Sequence, residues 1–153
     1  FSKAYAATGW RLGYAAGPAH LIKAAIDIQG HITTGTNTFA QYGAIAALEG
    51  PQDEVEQMRQ VFERRRDRMV AGLERVPGLT CAKPEGAFYT FPNIAATGLD
   101  SLTFCQRLLE EHHVAIVPGT AFGADANVRF SYATDEETID KGIERTDRFV
   151  RSL

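Results

Sequence analysis

The chain has 153 residues, of which 44% are hydrophobic and 23% are charged, and its net charge is −3 at pH 7. This length and composition are those of one ordinary globular domain with a core of useful size. The weak negative charge argues against nucleic acid or an anionic membrane as a partner. No apolar run approaches the ~20 residues of a membrane span, and the chain shows no secretory signal.

The cysteines and histidines show no metal or redox pattern. Cys81 and Cys105 lie far from a CxxC spacing, so we expect two free thiols, which is typical of the reducing cytoplasm. His112 and His113 are adjacent and would point about 100° apart on a helix, too far to hold one ion together. The sequence therefore predicts no metal site.

Residues 1–50 combine one strand pattern with two helix patterns. WRLGYAAGP, residues 10–18, predicts a short buried strand closed by Gly17 and Pro18. Apolar residues at helical spacing predict a helix over 19–29. The polar loop that follows ends at an N-cap, for which Thr36 or Asn37 is suited. Residues 38–49 are apolar nearly all round, so we expect a helix buried on most faces, in a larger core or a subunit interface.

One long helix is predicted after Gly50. Its apolar stripe extends from Val55 to Val76, and at ~1.5 Å per residue it would be roughly 35–40 Å long. A helix of this length predicts a bridge between two structural units. The run of arginines over residues 64–68 suggests a nucleic-acid patch. Interleaved acidic residues favour a solvated helix face instead.

The last half of the chain alternates strands and helices, as an α/β or α+β unit does. Residues 79–82, 87–91, 114–117 and 128–132 are the predicted strands. Asp100 or Ser101 would cap one helix, and Thr134 with Glu137 is spaced as a capping box for the last helix.

This pattern predicts three parts: a partial core over 1–50, a connecting helix over 51–76 and a small domain over 77–153. The first part has two very apolar helices and too few other elements to cover their apolar surfaces. We therefore expect missing chain, a tight oligomer, or both.

Lys3 and Arg11 are the first candidates for chemistry. Small residues at positions 4, 6, 7 and 9 would let the backbone pack closely around a planar guest. Arg11 is predicted at the start of the buried strand, where a guanidinium needs an anionic partner. A phosphate, bound through a bidentate fork, is the natural one.

These residues belong to a recognisable segment. SKAYAATGWRLGY resembles the Schiff-base segment of the class I aminotransferases of fold type I, which use pyridoxal phosphate. AQYGAIAALEGPQ, KPEGAFYTFPNI, VAIVPGTAFG and VRFSYATDEE follow in the same order as in prokaryotic aspartate aminotransferases. The resemblance covers essentially the whole chain and identifies it as the C-terminal part of such an enzyme.

The resemblance implies an α/β fold and three site residues. Lys3 would hold the aldehyde of pyridoxal 5'-phosphate covalently, Arg11 would bind the cofactor phosphate, and Arg129 would bind the substrate α-carboxylate. Without the resemblance, Arg129 would be interpreted as a strand arginine facing solvent. Tyr14, Phe88 and residues 33–37 would lie near the active site or the dimer interface.

The implied activity is amino transfer between an L-amino acid and a 2-oxo acid, with aspartate and 2-oxoglutarate as the expected pair, in a cytoplasmic homodimer. The 153-residue chain by itself is expected to be inactive. Two alternatives stay open. One is an aminotransferase or β-lyase of the same fold with another amino-acid substrate, such as an aromatic one. The other is an aminotransferase-like sensing domain of a DNA-binding regulator.

Overall fold

Residues Phe1–Leu153 are all described by the structure, a computed structural model, and they divide into two units, Phe1–Met58 and Arg59–Leu153. The division falls within the longest helix of the chain. No helix combines the length and the hydropathy that crossing a membrane requires.

The first unit contains α1 (Ala19–Thr33), α2 (Thr38–Glu49) and the start of α3 (Asp53–Leu73). Both predicted helices over 19–29 and 38–49 are confirmed, and α1 continues past Gln29 to Thr33. Asn37 is the cap of α2, because its Oδ1 accepts hydrogen bonds from the backbone N–H groups of Phe39 at 3.1 Å and Ala40 at 3.4 Å.

The strand predicted over residues 10–18 is wrong. Trp10 ends a 3₁₀ turn that spans Thr8–Trp10, and residues 11–18 have no regular structure. A strand is stable only where a neighbouring strand receives its N–H and C=O groups. The first unit contains no other strand, so the apolar pattern has no ladder to join.

Within this chain α2 is mostly exposed, so the burial expected in a larger core or a subunit interface stays a prediction. Ala40 is the only buried residue of α2, while Phe39 is 72% exposed and Tyr42 is 70% exposed. No residue of α1 is buried. The apolar surfaces of both helices therefore have no partner inside the chain, in line with the partial core expected for residues 1–50.

The second unit builds its core between three helices and a small sheet. The helices are the rest of α3, α4 (Ser101–His112) and α5 (Glu136–Arg151). They pack with the strands β1 (Tyr89–Thr90), β2 (Val117–Pro118) and β3 (Val128–Ser131). The sheet is antiparallel in the order β1-β3-β2. The most deeply buried large side chains of this core are Leu73, Ile94, Phe104, Leu108, Tyr132, Ile139 and Phe149.

The strands are shorter than predicted, although three of the four lie at the predicted places. Residues 79–82 form no strand and contribute only a bridge between Thr80 and Asn93. The long helix ends at Leu73. Val76 lies beyond it in a turn, and the N–H of Val76 donates to Leu73 O at 3.1 Å. Short edge strands leave few unpaired backbone groups for other chains to use.

An aspartate is the N-cap of each of the last two helices. Asp100 Oδ1 accepts the N–H of Thr103 at 2.8 Å, and the bond holds the pKa of Asp100 below its usual range. At α5 the cap is Asp135, whose Oδ1 accepts the N–H of Thr138 at 2.7 Å. The capping box predicted from Thr134 and Glu137 is therefore wrong, because the helix begins one residue later than that box requires.

Two of the four arginines in the run on α3, Arg66 and Arg68, are paired with acids of the same unit. Arg68 donates to the Asp140 carboxylate of α5 from Nε at 2.6 Å and from Nη2 at 2.5 Å. Its Nη1 donates to Glu136 Oε2 at 3.0 Å. The hydrogen bonds from Arg68 lower the pKa of Asp140. Arg66 pairs with Asp67 and Glu63. These contacts join α3 to α5 along the exposed edge of the core.

Gly119→Ala is expected to destabilise the second unit. Gly119 is buried after β2, and a Cβ there would overlap the backbone oxygens of Ala124 and Asn127. Overpacking against backbone should cost about 2 kcal/mol or more. Gly142→Ala is the matched control, since a Cβ on this α5 glycine meets nothing within 4 Å. The thermal unfolding midpoint of the 153-residue chain measures both, and equal midpoints would contradict the close approach at Gly119.

Candidate active site

Lys3 lies on consecutive tight turns at the start of the first unit. The N–H of Tyr5 donates to Phe1 O at 3.1 Å, and the N–H of Ala6 donates to Lys3 O at 3.2 Å. The Tyr5 hydroxyl donates to Gln52 Oε1 at 3.1 Å, which ties the turn to the residues just before α3. The Lys3 side chain is exposed on this anchored turn.

Two residues of the same segment adopt left-handed backbone conformations without being glycine. They are Ala6, with φ of 50°, and Arg11, with φ of 52°. Such conformations cost of order 1–3 kcal/mol and cluster at functional sites, where the surrounding structure holds them. Their presence on both sides of Thr8–Trp10 marks the segment as one whose shape is constrained.

Trp10 anchors the segment on α2. A Cβ at Gly43 would overlap the Trp10 ring at Cζ3, so the absence of a side chain at position 43 is what admits the indole. Phe1, Leu12 and Ala40 line the same small cavity of about 200 Å³. The position of Arg11, the next residue along the chain, depends on this contact.

Arg11 differs from its predicted setting. The structure places it at the end of a 3₁₀ turn, exposed, instead of at the start of a buried strand. Its Nη1 donates to Thr8 O at 3.2 Å, and no acidic side chain pairs with it. The guanidinium therefore keeps most of its N–H donors for an external anion.

The donor set of this segment fits pyridoxal phosphate. An amine can hold an aldehyde covalently, and a guanidinium is suited to a phosphate. Lys3 and Arg11 supply these groups from one short stretch, and a Cβ on the intervening Gly9 would meet nothing within 4 Å.

Arg129 lies in the second unit, on the central strand β3. Its neighbours Val128 and Phe130 are buried in the core, whereas Arg129 is half-buried and belongs to the opposite face of the sheet. Its Cζ lies over the rings of Tyr89 at 4.3 Å and Phe122 at 4.7 Å. The Arg129 side chain therefore lies on the face of the sheet away from the core, half-buried against two aromatic rings.

The loop before β1 holds an aromatic cluster in place. Ala87 has a left-handed φ of 62°, and its carbonyl accepts a hydrogen bond from the Tyr132 hydroxyl at 3.1 Å. Burial raises the pKa of Tyr132, so the phenol stays protonated and donates. Phe88 follows, with its ring centroid 4.5 Å from that of Tyr89. The hydrogen bond from Tyr132 thus fixes the backbone that leads into Phe88 and Tyr89.

The remaining candidates fall in the first unit. Tyr14 is 80% exposed, and its ring lies edge-on to Phe1 at 5.9 Å. In the loop over 33–37, Thr34 has a left-handed φ of 63° and Asn37 caps α2. Sequence reasoning missed Tyr89, Phe122 and Tyr132. The aromatic residues that flank the predicted strands were the available signal, but their contacts depend on strand register.

The sequence model for aminotransferases of class I and II matches residues 1–145. The chain belongs to this family. Enzymes of the family depend on pyridoxal phosphate.

Individual aminotransferases match nearly the whole chain. The aspartate aminotransferase of Geobacillus stearothermophilus is 49% identical over an alignment of 156 positions, which covers 99% of this chain and 40% of that protein. The crystal structure of the Rhizobium meliloti aspartate aminotransferase superposes with a TM-score of 0.94 at 43% identity, over 98% of this chain and 40% of that one. An aromatic aminotransferase from Pyrococcus horikoshii matches with a TM-score of 0.95 at 42% identity, over 99% of this chain and 41% of that one. The chain thus spans about 40% of the length of these relatives.

Gly43→Ala is expected to displace Trp10 from α2. The added methyl group would overlap the indole, at a cost of about 1–3 kcal/mol for overpacking. Trp10 is the only tryptophan of the 153-residue chain, so its fluorescence should move towards that of a solvent-exposed indole. Gly30→Ala on α1 is the control, because a Cβ there meets nothing within 4 Å. An unchanged spectrum for Gly43→Ala would contradict the contact.

Proposed function

We propose that this chain is the C-terminal portion of a pyridoxal-phosphate aminotransferase that exchanges an amino group between aspartate and 2-oxoglutarate. The observation that carries the proposal is the match of the whole chain to about 40% of the length of aspartate aminotransferases, at up to 49% identity. Residues 1–50 would end the large domain, residues 51–76 would connect, and residues 77–153 would form the small domain.

Lys3 and Arg11 would hold the cofactor. The exposed amine of Lys3 suits the aldehyde, and Arg11, which has no acidic partner in the chain, suits the phosphate. When bound, the cofactor withdraws electrons from the substrate α-carbon. Lys3, once the substrate amine has replaced it, would take the proton released at that carbon and deliver it to the cofactor carbon C4′, so that the amino group stays with the cofactor. Arg11 would keep the phosphate, and so the ring, in place through both half-reactions.

Arg129 would bind the α-carboxylate of the substrate. Its guanidinium makes no ion pair within the chain and is contacted by two aromatic rings. A planar, permanently charged fork fixes a carboxylate in orientation as well as in position. Orientation matters here because it decides which bond of the α-carbon is broken.

The substrate pair, the subunit arrangement and the location are part of the same proposal. Relatives named as aspartate aminotransferases support aspartate as the donor. The unpartnered apolar surfaces of α1 and α2 support burial against further chain and a second subunit in a homodimer. Two free, buried thiols support a cytoplasmic location.

Lys3→Ala in the full-length protein is expected to abolish amino transfer, because both the covalent attachment and the proton carrier are lost. Transfer from aspartate to 2-oxoglutarate is measured in a coupled assay. Lys23→Ala, which removes an exposed α1 lysine paired only with Asp27, is the control and should keep activity. Near-normal turnover of Lys3→Ala would refute the assignment.

Arg129→Ala in the full-length protein is expected to raise KM for aspartate and lower kcat together. Loss of a charge-assisted hydrogen-bonded pair should reduce kcat/KM by about 10- to 100-fold. Arg148→Ala, an exposed α5 arginine paired with Glu144, is the control. Unchanged steady-state kinetics for Arg129→Ala would place this residue outside the substrate site.

A further inference from the structure

Two aromatic rings are the only side chains that hold the guanidinium of Arg129. Its Cζ lies 4.3 Å from the ring centroid of Tyr89 and 4.7 Å from that of Phe122. Both distances are well within the ~6 Å over which a ring face attracts a cation. Arg129 forms no hydrogen bond or ion pair with any other side chain of the structure.

Strand register brings the two rings to Arg129 from the two strands that flank β3. Tyr89 of β1 pairs with Ser131, two residues from Arg129 on the same face of β3. On the other side Val117 of β2 pairs with Arg129, and the 3₁₀ turn Gly119–Phe122 carries Phe122 back. Neither aromatic residue is near Arg129 in the sequence, so the arrangement exists only in the folded sheet.

Each ring is itself supported. Phe122 is packed edge-on by Phe91, with centroids 5.9 Å apart and an interplanar angle of 87°. Tyr89 is packed by Phe88 at 4.5 Å. The hydrogen bond from Tyr132 to the Ala87 carbonyl holds the loop that leads into Phe88. The rings are therefore placed by packing and do not rely on Arg129 to hold them.

Aromatic partners have an advantage over acidic ones for an arginine that must bind a carboxylate. An aspartate or glutamate would occupy the N–H donors and compete with the substrate. A ring attracts the cation through its π face and accepts no conventional hydrogen bond, so the N–H groups stay available. Contact with two rings also restricts the Arg129 side chain, which would otherwise lose rotamer entropy on binding.

We propose that Tyr89 and Phe122 are positioning residues that hold the Arg129 guanidinium ready for the substrate α-carboxylate. This inference rests on the proposed function, because it takes Arg129 as the carboxylate-binding residue. The ring faces carry the effect, so the Tyr89 hydroxyl contributes little to it. Losing either ring should weaken ground-state and transition-state binding alike, which raises KM and leaves kcat nearly unchanged.

The test compares apolar and aromatic replacements in the full-length protein with cofactor bound. Tyr89→Leu and Phe122→Leu should each raise KM for aspartate, and the Kd of the unreactive dicarboxylate succinate by calorimetry, by about 3- to 30-fold. Tyr89→Phe and Phe122→Tyr keep a ring face, so both constants should stay within about twofold of the unmodified protein. The thermal midpoint of each variant reports folding. Phe122→Met replaces Phe122→Leu if the leucine variant does not fold.

A double-variant cycle separates positioning from general damage. In an Arg129→Ala background, Tyr89→Leu should change the succinate Kd no further, because the group that it positions is gone. If Arg129→Ala weakens succinate binding and the leucine variants do not, the positioning role is wrong while the proposed function stands. If Arg129→Ala leaves the succinate Kd unchanged, the proposed role of Arg129 is wrong as well. If Tyr89→Phe weakens binding as much as Tyr89→Leu, the ring face is not what acts.

Discussion

The alternation of side chains along β3 decides the organisation of the second unit. In Val128–Ser131 the buried positions are Val128 and Phe130, which enter the core beneath the sheet. The same alternation places Arg129 on the other face, where its charge does not have to be buried in the core. A shift of one residue in the register would bury the guanidinium and expose the phenylalanine, so core packing itself holds the Arg129 guanidinium on its face of the sheet. The position of Arg129 is thus a consequence of the hydrophobic effect acting on its neighbours.

In each unit, a segment that carries a proposed site residue or its ring contact is held by close packing at a glycine. In the first unit, Trp10 rests where Gly43 has no Cβ, and Arg11 follows directly. In the second, Gly119 allows the chain after β2 to turn tightly, which returns Phe122 to the sheet. Left-handed conformations at Ala6, Arg11 and Ala87 lie in or beside these segments. Conformations of this kind persist only where surrounding contacts over-determine them, and the contacts are present here.

The two units differ in how much apolar surface they bury. The second has a continuous core with Phe104 and Phe149 in edge-on contact at 5.1 Å, and its free cysteines lie inside it. Burial raises the pKa of Cys105 to about 11, so this thiol remains protonated and unreactive. The first unit leaves large side chains of α1 and α2 exposed. Such faces are typical of elements that pack against further chain, which accords with a match to about 40% of the relatives' length.

Local sequence determined the helices, because their hydrogen bonds close within four residues and their caps are adjacent. The bounds of α2 follow from residues 38–49, and the local sequence limited its cap to Thr36 or Asn37 and the cap of α4 to Asp100 or Ser101. The motifs around Lys3, Arg11 and Arg129 were equally local, and they were sufficient to identify the family. Only tertiary structure decided the strands and the surroundings of the site. Residues 10–18 have a strand pattern but no neighbour to pair with, and Tyr89 and Phe122 meet Arg129 only through the register of β1, β2 and β3. Pairing between strands depends on residues far apart in the chain, and no window of the sequence contains both partners.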